Sequence, residues 1–228
     1  MDTEAQHTER DRSSPDAEAA DGEEGSRSVR SGRWSLRRKA FLVVLVCAVC
    51  LWGVSTFLMQ PFLIPSGSME PGLKSGDRVL VNKLAYRFDS EPRRGDVVVF
   101  DGSGYFGDDD YIKRVAGVGG DRVVCCGEQG RLEVNGEAVD EQYLFPGDAP
   151  SAAAFDIVVP EGSLFVLGDH RSASSDSRDH LGSPGGGMVP VDSVIGRADW
   201  IGWPADRWTS IDRPGTFARV PEPGGAHG

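Results

Sequence analysis

The chain has 228 residues, a net charge of -11, 30 glycines and 14 prolines. That length holds one ordinary domain with room for a tail and an anchor, and so many turn formers favour a loop-rich β protein over a helical one. Residues 1–39 carry nine acids and eight bases, while residues from 60 onward carry 26 acids and 16 bases. A domain that acidic lacks the basic footprint that nucleic-acid binding needs, so no nucleic acid is expected as a partner.

Residues 1–26 are polar and acidic with no hydrophobic period, and are expected to be disordered because they bury too little apolar surface to offset ordering. Arg27, Arg30, Arg33, Arg37, Arg38 and Lys39 follow, so residues 1–39 read as a disordered cytoplasmic tail, acidic and then basic. Ala40 to Met59 is a run without a single charge. A helix of about 20 residues rising 1.5 Å per residue spans a hydrocarbon core of about 30 Å, so residues 40–60 are predicted to be one transmembrane anchor in the lipid bilayer. Bases precede the run and no charge follows until Glu70, which orients the N-terminus toward the cytoplasm and everything beyond residue 60 outside the cell membrane. The run exceeds the apolar core of about 7–15 residues in a cleavable signal peptide, and no clear small-x-small site follows it. An uncleaved anchor is therefore preferred.

Beyond the anchor the pattern is that of strands. Arg78–Asn82, Asp96–Phe100, Asp121–Val124, Arg131–Asn135, Phe155–Val159 and Ser163–Leu167 are short apolar or alternating runs, most of them bounded by turn residues. Asn135-Gly136 is a two-residue hairpin signal, since both central positions of a type I′ turn need positive φ. These runs predict an extracytoplasmic, mainly β domain over 61–203, with a smaller β extension over about 120–160. The tail 204–228, rich in Pro, Gly and charge, is expected to be flexible. Cys47 and Cys50 fall in the apolar run and read as small membrane-facing residues. For the adjacent Cys125 and Cys126 three readings stand: free thiols, a vicinal disulfide, or pairing outside the chain. No Cys/His spacing resembles a metal site, and no cofactor is expected.

Three segments carry chemistry when taken together. Phe62–Asp77 reads FLIPSGSMEPGLKSGD, where Pro65 fixes the entry to a turn and Gly67 lets a substrate approach the backbone between two serines. Asp110–Asp121 reads DYIKRVAGVGGD, a strand in which Lys113 has apolar neighbours Ile112 and Val115. Burial disfavours an ammonium, and a neutral amine beside a serine hydroxyl can take its proton. Gly168–Arg178 reads GDHRSASSDSR and directly follows an apolar strand, where a site-building loop belongs. The segment GSGYFG at 102–107 fits a dinucleotide-binding pattern, yet Asp108, Asp109 and Asp110 follow it in place of a helix N-terminus, so no nucleotide is expected.

PSGSMEPGL, RGDVVVF, YIKRVAG with a following GD, and GDHRSASSDSR, in that order after an anchor, resemble the successive signature motifs of type I signal peptidases over about residues 60–178. The resemblance implies a coiled antiparallel β-sheet catalytic core and a serine–lysine dyad. Ser68 would be the nucleophile and Lys113 the general base, with the Ser68 N–H and the Ser66 hydroxyl as oxyanion hole. Ser174 would orient the Lys113 amine, and Asp176 and Arg178 would brace the site as an ion pair. Phe62, Ile64, Met69, Leu73, Tyr111 and Ile112 would line pockets for small residues, giving cleavage of exported preproteins after Ala-x-Ala. The chain departs from the family pattern at Gly119, where a Pro is usual, at His170 in place of Asn, and at Ser172-Ala173 in place of Asp-Asn. His170 as the base of a Ser-His-Asp triad is set aside, since the resemblance implies lysine. Competing readings are a cytosolic self-cleaving repressor, disfavoured by the anchor and the acidity, and an inactive membrane-tethered β module that binds exported chains.

Overall fold

The computed structural model describes residues 24–88 and 90–223, without the side chains of residues 24–35 and 54–57. The disorder expected for the first 23 residues lies outside the described residues. The chain divides into two units, residues 1–51 and 52–228.

Helix α1 runs Glu24–Phe57, so residues 24–39, expected to be disordered, are helical. The stretch is free of proline and rich in arginine, a good helix former, so a helix nucleated in the apolar run propagates back through it. The helix also stops short of the expected residue 60: Met59 and Gln60 belong to a strand instead. Pro61 explains the break, because the residue before a proline is steered out of the α region. Phe41, Leu42, Val43, Val44, Leu45, Val46, Val49 and Leu51 are exposed. Among the described residues no helix is long and apolar enough to cross a membrane.

The second unit is mainly β and antiparallel throughout its described pairings. Its larger sheet orders β1 (Met59–Leu63), β2 (Arg78–Asn82), β11 (Val194–Trp203), β3 (Val97–Asp101), β4 (Asp110–Val118), β9 (Ser163–Leu167) and β10 (Val189–Pro190), with β12 (Thr209–Ser210) on β11. The central strand β3 is buried on both faces: Val97 and Val99 enter one core with Ile64, Met69, Leu73, Val79 and Val81, while Val98 and Phe100 enter another with Val115, Leu164 and Val166. Side chains alternate across a strand, so a run of four apolar residues feeds two cores at once. Register shifts in β11 and β4 mark irregularities that bend strands and coil the sheet.

A second sheet of four strands orders β7 (Glu137–Ala138), β6 (Glu133–Val134), β5 (Arg122–Cys125) and β8 (Phe155–Val158). Asn135 and Gly136 have φ of 52° and 80°, the positive values a type I′ hairpin turn requires. Buried Asp121 joins the two sheets: it takes both Arg94 Nε and Nη2 at 2.7 Å, the Val118 N–H and Asn135 Nδ2. Cys125 and Cys126 form a vicinal disulfide.

The described part of the tail, residues 204–223, is not loose. Phe217 and Val220 are buried in the core with Val123, Leu132 and Phe165, β12 pairs with β11, and Arg207 and Arg213 pair with the buried Asp77 and Asp96. Gly95 makes room for this docking, since a Cβ there would meet the Phe217 ring at 2.8 Å. Two apolar side chains and two arginines with buried partners outweigh the entropy of a Pro/Gly-rich segment.

Candidate active site

The turn after β1 is held from both ends. Ile64 N–H donates to Asp77 O, Gly76 N–H to Ile64 O, and Glu70 N–H to Gly67 O, at 2.9, 2.9 and 3.0 Å. Met69 and Leu73 are buried in the core beside it and pin the middle. Between these anchors Ser68 is itself buried, only 6% exposed. β4 supplies the second group: flanked by β3 and β9, it sets Lys113 opposite Val98.

Lys113 Nζ lies 3.0 Å from Ser68 Oγ, and Lys113 is 3% exposed. Burial strips water from the ammonium and drives its pKa down to about 8, against the opposing pull of Asp176 and Asp169. Ser66 Oγ is 3.3 Å from Ser68 Oγ. A hydroxyl in contact with a sheltered amine that sheds its proton near neutral pH is equipped for acyl transfer.

The loop after β9 closes around the pair. Asp176, fully buried, accepts Arg178 Nε and Nη2 at 2.8 Å and the Gly168 N–H at 3.0 Å. Burial alone would raise its pKa, but these contacts hold it below the usual carboxylate range. Arg178 also donates to Arg171 O at 2.8 Å. Ser174 does not make the expected bond to Lys113: its hydroxyl is buried beside Asp176 and helps to hold that carboxyl down. It crowds Gly168 instead, where an added Cβ would sit 2.2 Å from Ser174 Oγ and 2.6 Å from Ser68 O. Only glycine allows this loop so close to the Ser68 turn.

The expected pocket residues fall into two groups. Ile64, Met69, Leu73 and Ile112 share one buried cluster with Phe62 packed against it. Tyr111 lies apart, stacked on Phe100 at 5.9 Å, with its hydroxyl donating to Phe106 O. Alternation along β4 causes the split, because Tyr111 and Ile112 project to opposite faces. A cleft of about 710 Å³ lined by Lys83, Tyr86, Glu161 and Asp192 includes none of the site residues.

Sequence reasoning missed three partners of the site. Arg114, next to the lysine, is clamped by Asp169 through Nε at 2.8 Å and Nη2 at 2.6 Å. Arg171 is clamped by Glu141. His170, weighed only as a base, meets the Gly67 carbonyl through Nδ1 at 3.2 Å rather than the serine hydroxyl, and stacks on Phe145. The one signal in the sequence was the departure from the family pattern at His170.

An antiparallel coiled sheet carrying a serine in contact with a buried lysine belongs to the hydrolytic enzymes. The family model described as signal peptidase, peptidase S26, matches residues 37–203. A probable signal peptidase I of Mycobacterium leprae (strain TN) is 35% identical over 80% of this chain and 80% of its own. Signal peptidase I of Mycobacterium tuberculosis (strain H37Rv) is 37% identical over 75% and 74%, and signal peptidase IB of Staphylococcus aureus is 36% identical over 71% and 86%. The chain belongs to the signal peptidase family, S26, and is a serine endopeptidase that cleaves signal peptides from preproteins.

Proposed function

We propose that Ser68 is the nucleophile and Lys113 the general base of this peptidase, acting on exported preproteins after small-x-small sites such as Ala-x-Ala. The observation that carries the reading is the 3.0 Å contact between Lys113 Nζ and Ser68 Oγ within a buried environment. The neutral amine takes the Ser68 proton as Oγ attacks the scissile carbonyl carbon. The Ser68 N–H and the Ser66 hydroxyl donate to the oxyanion that develops. When the C–N bond breaks, the Lys113 ammonium gives its proton to the leaving amine, the new N-terminus of the mature chain, and the signal peptide stays as an ester on Ser68. Water then attacks that ester while Lys113 takes its proton, and as the ester C–O bond breaks Lys113 returns that proton to Ser68 Oγ, restoring the hydroxyl and releasing the signal peptide's carboxyl group. The Asp176–Arg178 pair stiffens the loop around the amine. The apolar wall of Phe62, Ile64, Met69, Leu73 and Ile112, with Tyr111 to one side, favours small apolar side chains at the cut.

The same reading places the enzyme in the cell membrane, as a single-pass protein with its N-terminus cytoplasmic and its catalytic domain outside. It is supported by the uncharged run from Ala40, the bases before it and the exposed apolar side chains of α1. Lipid contact by the β domain is supported by Leu63 and Trp203, which flank Arg78 on neighbouring strands, and by Trp208, all exposed. Ser68→Ala and Lys113→Ala, assayed in detergent on an Ala-x-Ala preprotein, are each expected to abolish cleavage. Cleavage at the wild-type rate by either variant would defeat the assignment.

A further inference from the structure

We infer that His170 is a positioning residue for the oxyanion hole: its ring N–H holds the Gly67 carbonyl and thereby aims the Ser68 N–H. The inference rests on the reading that the Ser68 N–H is an oxyanion donor. The Gly67 carbonyl and that N–H are two ends of one planar peptide unit, which is trans here. In a trans unit the two groups point in opposite directions, so fixing one aims the other. Gly67 has no Cβ, and its neighbouring dihedrals are the softest in the turn. The plane therefore depends on what grips the carbonyl. Two donors do so: the Glu70 N–H at 3.0 Å within the turn, and His170 Nδ1 at 3.2 Å from across the site.

His170 is built to serve as that second grip. Its own backbone N–H donates to Ser68 O at 3.1 Å, so one residue holds two consecutive carbonyls of the nucleophile turn. Its ring lies flat on Phe145, with centroids 3.8 Å apart and planes 11° from parallel. Phe145 is tethered in turn by its N–H to Asp169 O at 3.0 Å, and Asp169 is clamped by Arg114. The contact with Gly67 O assigns a proton to Nδ1, because an unprotonated nitrogen would face the oxygen lone pair to lone pair. A donor on the carbonyl also polarises the amide and strengthens its N–H toward an oxyanion.

The test uses the full chain in detergent with an Ala-x-Ala preprotein and compares H170A, H170N, H170F and S68A. Removing an oxyanion donor outright costs about 10²–10³ in kcat, so loosening its aim in H170A is expected to cost roughly 10- to 100-fold in kcat, with KM within about twofold. H170N, whose side-chain amide N–H can reach the same carbonyl, is expected to recover most of the loss. H170F keeps the stack on Phe145 without a donor and is expected to be as slow as H170A; it is the variant to read if H170A melts early. Wild-type kcat in H170A and H170F would overturn the inference, as would a loss confined to KM or no recovery in H170N. If S68A still cleaves, the nucleophile assignment itself has failed; if S68A is inactive while the His170 variants keep full kcat, only the present inference falls.

Discussion

At Lys113 two effects oppose each other, since burial favours the neutral amine while Asp176 and Asp169 favour the ammonium. Burial wins, and the pKa falls from 10.5 to about 8. The proposed base is active when neutral, so activity should be present above that pKa and lost as pH falls through it. At pH 6 roughly one molecule in 100 holds the neutral amine, so kcat/KM is expected to rise about tenfold per pH unit between 6 and 7 and to level off above about 9. A pH–rate profile flat from 6 to 9 would show that some other group takes the proton. The contact of Lys113 with Ser68 was legible because residue types, order and an apolar setting all pointed to it. The grip of His170 on Gly67 and the place of the Ser174 hydroxyl were not, because each depends on a rotamer where the loop after β9 meets the turn about 100 positions before it.

Among the elements, β2 and β9 occupy the spans that their apolar runs mark, and β3 is displaced by one residue, from Asp96–Phe100 to Val97–Asp101. β11 went unread, although it joins β2 to β3, because Gly196, Asp199 and Gly202 interrupt its alternation at or near its register shifts. The tail went unread for a related reason. Its composition is that of a loop, and its worth to the fold lies in two side chains, Phe217 and Val220, and in arginines whose partners are more than 100 residues away. Phe217 stands on Gly95, one residue before the Asp96 that Arg213 clamps at the start of β3, so the tail braces the strand beside Lys113. Phe217→Ala is therefore expected to cost about 3–5 kcal/mol in denaturant unfolding, the usual cost of emptying a buried aromatic site. A change of less than about 1 kcal/mol would mean that the tail is as loose as its composition suggests.

On the scale of the whole molecule, charge and apolar surface are sorted along the chain: bases ahead of an uncharged run, then a catalytic unit with ten more acids than bases. That sorting could be read directly, since it depends on composition alone. The helix boundaries could not, because propagation back to Glu24 and the stop before Pro61 are set locally. The proposed mechanism turns on the acylation of one buried hydroxyl whose proton one neutral amine takes. The most direct measurement is the covalent adduct formed by an activated ester of N-acetyl-alanine with the intact enzyme at pH 9, located by peptide mass mapping. The expected result is a single acyl group on Ser68, formed at least 100-fold more slowly in Lys113→Met. Acylation at another residue, or an equal rate without the amine, would contradict the serine–lysine mechanism.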